Sequence, residues 1–224
     1  MEIIPNIHLI PGITANPYLI IDPDGLTLID TGLPGSEKKI LKYVAWLGFK
    51  PSDLKRIIIT HADYDHIGGL ASLKKVSGAR VHASAVEAVA MATGHPSRMI
   101  QPKNPLIKLV FTVMGRLVKS IKIQVDEILT DGQVLPIHGG LQVVETFGHT
   151  PGHISFFIPS TGVLFSGDSI VSEKDRLFTS RQSVTWDRQK ADESVLKQAR
   201  LGAQIVCPGH GPVVMEAEDK FPVG

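Results

Sequence analysis

One cysteine, Cys207, is all that the 224 residues contain, so no disulfide can form within the chain and oxidative stapling is excluded. That suits a reducing compartment. An excess of either charge is missing too. With 23 Lys and Arg against 22 Asp and Glu, there is no net field to gather a polyanion, and no nucleic-acid partner is expected. No apolar run approaches the roughly 20 residues that cross a bilayer. The opening MEIIPNIHLIPG lacks the basic start and long apolar core of a secretion signal. A cytoplasmic protein is the expectation. No short repeat and no low-complexity stretch interrupts the chain. What is present is ordinary soluble composition, 43% hydrophobic and 20% charged, in a length that suits one large domain over residues 1–224.

The first third reads as strands, NIHLI, NPYLIID and LTLIDTG, separated by Pro11-Gly12 and Asp22-Pro23-Asp24-Gly25 and expected to be antiparallel. Ile40, Leu41, Val44 and Leu47 recur at helical spacing from Ser36, with Gly48 as the stop. A buried strand, LKRIIITH, follows, and Gly68-Gly69 begins a helix toward Lys75. ARVHAS gives a further strand and AVEAVAMATG a short helix. A second strand series, EILTDGQVL, LQVVETFG, HISFFIP and GVLFSGDSI, comes later. It is followed by a helix over about 187–200, the strand AQIVC and the turn PGHGP. Two β-rich blocks, each followed by mixed structure, predict an α/β fold: two facing sheets with helices outside, a four-layer αββα sandwich.

Between the buried strand and its helix, IIITHADYDHIGGL places His61, Asp63, Asp65 and His66 on one turn. Carboxylates crowded there would repel one another and lack partners, and a divalent cation resolves the conflict. Three later segments repeat the pattern of an apolar strand ending in a ligand-type residue beside glycine. They are VVETFGHTPGH with His149, VLFSGD with Asp168 and QIVCPGHGP with His210. His153, four residues after His149, reads either as a hydrogen-bonding support or as an ordinary satisfied histidine.

In this order, from Asp30 in LIDTG through the His61–His66 cluster to His149, Asp168 and His210, the sequence resembles the metallo-β-lactamase superfamily. The HTPGH and PGHG contexts are similar to its glyoxalase II-like hydrolase branch. The resemblance implies a first metal site of His61, Asp63 and His149 and a second of Asp65, His66 and His210. It implies that Asp168 bridges them and that Asp30 anchors the loop by hydrogen bonds without touching metal. Asp65 and Asp168 are the expected catalytic carboxylates. Two divalent ions, zinc first, would share a hydroxide that attacks an ester, thioester, lactone or phosphoester of a small-molecule substrate.

The pattern departs at Asp63, where the family has histidine. The extra carboxylate brings the ligand charge to four negatives against two divalent ions, which should lower Lewis acidity and favour iron or manganese more than usual. An iron-dependent redox or oxygen-handling protein of the same fold is therefore the alternative, with a non-catalytic metal- or ligand-binding relative as the third. A basic amphipathic insertion around 95–125 carries Arg98, Lys103, Lys108, Arg116, Lys119 and Lys122 and no acid. Its stripe of Leu106, Val110, Val113, Met114, Leu117 and Ile121 has helical spacing. It is read as packing on the sandwich or on a second subunit of a homodimer. The sharper readings are a lid that attracts an anionic substrate or a face that lies against lipid.

Overall fold

Strands that are apolar at consecutive positions must be covered on both faces. The computed structural model, which describes residues 1–98, 109, 113 and 122–222, shows what covers them. A seven-stranded sheet runs in chain order: β1 (Glu2–Ile4), β2 (Ile7–Leu9), β3 (Tyr18–Asp22), β4 (Gly25–Ile29), β5 (Leu54–Ile58), β6 (Arg80–Ser84) and β7 (Glu127–Leu129). The first four strands are antiparallel neighbours, and β4 to β7 run parallel. Then come β8 (Val134–Leu135), β9 (Leu141–Glu145), β10 (Ile154–Ile158) and β11 (Val163–Gly167). The last strands are β12 (Ile170–Glu173), β13 (Arg176–Thr179), β14 (Ile205–Pro208) and β15 (Val214–Met215). The second sheet has the order β15-β14-β11-β10-β9-β8, while β12 and β13 form a separate ribbon. Among the described residues the α-helices are α1 (Ser36–Trp46), α2 (Tyr64–Ile67), α3 (Leu70–Ser77), α4 (Ala85–Thr93) and α5 (Arg188–Ala199).

Successive side chains of each central strand enter different cores, because strand side chains alternate between faces. Leu19, Leu28 and Ile57 pack with Ile40 and Val44 of α1, Leu70 and Leu73 of α3 and Met91 of α4. Their neighbours Ile20, Ile29 and Ile58 meet Val143, Phe156, Phe165 and Cys207 between the two sheets. The neighbours of those in turn, Val144, Phe157, Leu164 and Val206, face Val195 of α5. Three cores between four layers make the αββα sandwich that the sequence pattern predicts. Cys207 is fully buried in the middle core, and burial pushes its thiol pKa up.

Two readings of the strands need correction. EILTDGQVL is not one strand: the chain turns at Gly132, where φ is +76°, and β7 and β8 belong to different sheets. GVLFSGDSI also breaks. Gly167 takes φ +52°, and a Cβ there would lie 2.6 Å from His153 Nε2, so only glycine lets β11 end against that ring. Of the 95–125 insertion, 99–108, 110–112 and 114–121 lie outside the described residues, and with them most of the expected stripe.

The two parallel pairs position the site. Ile29 lies opposite Ile58 where β4 and β5 end, and Gly167 opposite Pro208 where β11 and β14 end. The carboxyl ends of the two sheets thus open at one edge of the sandwich, where α/β sheets place their ligands. Tyr18 Oη donates to the Pro208 carbonyl at 2.8 Å, and Ile154 N donates to the Thr60 carbonyl at 3.0 Å, which tie the two sheets together there.

Candidate metal centre

Asp30 follows β4 directly, in left-handed backbone at φ +59°. Its carboxylate accepts from Thr60 N at 2.9 Å, from Thr60 Oγ1 at 2.7 Å and from His66 Nδ1 at 2.8 Å, so one buried acid fixes the start and the end of the 60–66 turn. Because Thr60 spends its proton on Asp30, its oxygen is left to accept from His61 Nδ1 at 3.0 Å. His61 therefore holds its proton on Nδ1 and turns an unprotonated Nε2 inward, and His66, donating through Nδ1, presents its Nε2 to the same place, the orientation a metal ligand needs. His149 is oriented by Ser180, with Nδ1 2.7 Å from Ser180 Oγ and Nε2 facing the same centre.

The inward atoms converge. His61 Nε2 and His149 Nε2 stand 3.5 and 3.3 Å from Asp63 Oδ2. His210 Nε2 is 3.2 Å from Asp65 Oδ2 and 3.4 Å from Asp168 Oδ2. Asp168 also reaches His66 Nε2 at 3.3 Å through Oδ1 and His149 Nε2 at 3.6 Å through Oδ2. Two groups of candidate ligands result, His61–Asp63–His149 and Asp65–His66–His210, with His61, His66 and Asp168 forming a third that joins them. These separations match the edge of a tetrahedron with bonds of about 2.05 Å, roughly 3.3 Å. Buried His61 Nε2, His66 Nε2 and Asp168 Oδ1 have no hydrogen-bond partner among the described residues, an arrangement that costs stability unless a cation takes them up. The residues fit a metal. Asp168 sits so close to the β14 turn that a Cβ on Gly209 would come within 2.2 Å of its Oδ1, which fixes glycine at that place.

Every residue of the predicted set, Asp30 included, lies in this cluster. Three residues that sequence reasoning did not single out for the centre lie there too. Arg98, its side chain 2% exposed, donates from Nη2 to Asp63 Oδ2 at 2.6 Å and lies 3.2 Å from His149 Nε2. Glu87, on α4, accepts from Ala62 N at 3.0 Å, Thr150 Oγ1 at 2.6 Å and Gly152 N at 3.1 Å. Ser180 orients His149. His153 settles as a satisfied histidine behind the centre: Nε2 accepts from Asp168 N at 3.0 Å and Nδ1 donates to Thr146 Oγ1 at 2.8 Å. Burial together with His61 and His149 holds its pKa well below the ordinary value, so it stays neutral.

The charge distribution makes the metal-free centre a proton store. Hydrogen bonds to Asp168 and Asp65 push His210 up to about 10. For His66 burial opposes the charge, but Asp168 and Asp30 outweigh it and raise the ring well above its usual value. At neutral pH both imidazoles carry a proton in the metal-free chain, and a cation must displace both. Titration calorimetry at pH 7, in buffers of different ionisation enthalpy, should find about two protons released with the first metal ion. Affinity should rise by up to about a hundredfold per pH unit while both rings are protonated. Release of less than half a proton would contradict this.

Similarity to known proteins agrees with the geometry. The family described as the metallo-beta-lactamase superfamily matches residues 10–210. "Uncharacterized protein YobT" of Bacillus subtilis is 29% identical over 92% of this chain and 87% of its own length. "Probable metallo-hydrolase YflN" of the same organism is 30% identical over 88% and 80%. The hydroxyacylglutathione hydrolase of Idiomarina loihiensis is 32% identical over 67% of this chain, a match spanning 44% of that enzyme. A metallo-beta-lactamase of Cronobacter sakazakii with a HARLDQ motif superposes with TM-score 0.71 at 26% identity, over 94% of this chain and 77% of its own. A metallo-beta-lactamase family protein of Thermus thermophilus has the same fold, with TM-score 0.74 at 22% identity over 98% and 78%. On its fold, its ligand-like cluster and this match, the chain belongs to the metallo-beta-lactamase superfamily, a family of hydrolases.

Proposed function

We propose that the chain is a metal-dependent hydrolase acting on a thioester or ester of a small molecule, with zinc as its metal. The observation that carries this reading is the convergence of unpartnered, buried Nε2 and Oδ1 atoms of His61, His66 and Asp168 at ligand-to-ligand spacing. His61, Asp63 and His149 would hold one ion and Asp65, His66 and His210 a second, with Asp168 shared. A divalent ion held there supplies a hydroxide near neutral pH and polarises the substrate carbonyl. The rest falls to the chain. Asp30, Thr60 and Ser180 keep each ring in its binding orientation. Asp65 and His210, about a third exposed, and Asp63, 27% exposed, line the open side by which substrate would enter, while the histidines of the first group lie at most 2% exposed. Burial disfavours charge on Asp65, but His210 and His66 outweigh it and keep the carboxylate ionised, the form that holds a cation. The thioester preference rests on the hydroxyacylglutathione hydrolase relatives, of which the chain spans less than half in the example above.

The motive for iron weakens. Arg98 places one positive charge 2.6 Å from the extra carboxylate of Asp63, and the pair together is as neutral as the histidine it replaces. Purified protein tested on acyl-thioester and p-nitrophenyl ester probes should lose at least about 99% of its turnover after chelator dialysis and regain it with zinc. Undiminished turnover in metal-free protein would overturn the reading.

A further inference from the structure

The first ligand group contains a cation of its own. Arg98 lies four residues beyond Gly94, the left-handed residue that ends α4, and its guanidinium reaches both Asp63 and His149. Asp63 Oδ2 and His149 Nε2, 3.3 Å apart, are two of the atoms that would hold a metal in the first group, and Arg98 Nη2 stands 2.6 Å from one and 3.2 Å from the other. The guanidinium takes up the space and the carboxylate oxygen that an ion at His61–Asp63–His149 needs. The two cations exclude each other there.

Among the described residues, nothing comparable stands over the second group: the groups within ion-pair distance of Asp65, His66 and His210 are the members of the centre and Asp30. The asymmetry fits the sequence departure. A histidine at position 63 would give the guanidinium no carboxylate to bind, whereas Asp63 accepts it at 2.6 Å, the short distance of a charge-assisted bond. Asp63 and Arg98 thus read as a matched pair.

We infer that Arg98 is the resident cation of the first group, so that the chain binds one metal ion tightly at Asp65–His66–His210–Asp168 and admits a second only by expelling the guanidinium. The inference rests on the metal-dependent reading above and goes beyond it by making the two sites unequal. Expelling the buried guanidinium gives up its ionic hydrogen bond to Asp63, which should weaken the second ion by about tenfold to a hundredfold.

The test titrates metal-free protein with zinc against a competing chromophoric chelator, and in parallel with cobalt(II) followed by its visible spectrum. Wild type should bind one tight equivalent and a second at least tenfold weaker. Arg98→Ala, and Arg98→Met should the alanine variant fold poorly, should bring the second equivalent to within about threefold of the first. It should also add a second cobalt band at an equivalent where wild type shows none. His149→Ala should leave the first equivalent of wild type intact. Two equal tight equivalents in wild type, or an unchanged second equivalent without Arg98, would overturn the inference and leave the hydrolase reading standing. Wild type that takes no tight ion would overturn both.

Discussion

Asp168→Asn should lower kcat/KM on a thioester probe by at least about a thousandfold while leaving the fold intact. The side chain faces both ligand sets, with Oδ1 3.3 Å from His66 and Oδ2 3.4 and 3.6 Å from His210 and His149. Burial raises its pKa, but His66 above all, with His210 and His149, outweighs this and keeps the carboxyl well below the usual range, so it is an anion at working pH. Asparagine has the same shape but no charge, and it replaces one acceptor oxygen by a donor that repels a cation. Metal-held charge stabilisation is worth several kcal/mol, and each 1.36 kcal/mol is tenfold in rate. The backbone contact of Asp168 N with His153 remains, so circular dichroism should match wild type. The decisive measurement pairs kcat/KM with metal content. A variant that keeps its full metal complement and stays within tenfold of wild-type activity would show that Asp168 does not hold the ions.

The ligand residues were legible because each follows a strand that must be buried on both faces, and LTLID, RIIITH, VLFSGD and QIVCPGH carry that signal in a few closely spaced apolar positions. Such strands place their ends at one edge of the sheet whatever else the chain does. The same density of apolar residues hid the break in EILTDGQVL. Both of its halves are apolar enough to be strands, and only the left-handed Gly132 separates them into different sheets. Arg98 was illegible for another reason. It stands first in a run of basic residues, and a run of like charge reads as a solvated face, whereas this guanidinium is buried against a carboxylate 35 positions earlier. No local spacing records a contact of that range. Glu87 was disguised by its position. Three residues after Ser84, it fits the helix-start pattern Ser-x-x-Glu, which accounts for it without any tertiary partner. Ser84 does cap α4, accepting from Glu87 N, but the carboxylate turns away to the ligand loops.

That orientation makes Glu87 the most consequential residue outside the ligands themselves, and Glu87→Ala should destabilise the protein by about 3–5 kcal/mol. The carboxylate is fully buried and joins the turn that carries His61 and Asp63, through Ala62 N, to the turn that carries His149, through Thr150 Oγ1 and Gly152 N. Alanine leaves these donors facing a cavity, at about 1–3 kcal/mol for each that finds no new partner. That is a large part of the roughly 5–15 kcal/mol of a typical domain. Glu87→Gln separates this role from helix capping. Its remaining oxygen can still serve Thr150 and Gly152, while its amide opposes the Ala62 N–H, so it should cost about 1–2 kcal/mol and lower metal affinity by roughly tenfold. A charge acting only on the first turn of α4 would be worth about 0.3–1 kcal/mol and would leave the affinity unchanged. Urea unfolding of chelated protein gives the stability and competitive titration the affinity. An alanine variant less than about 1 kcal/mol below wild type, with undiminished metal affinity, would show that the two loops hold their ligands without this strut.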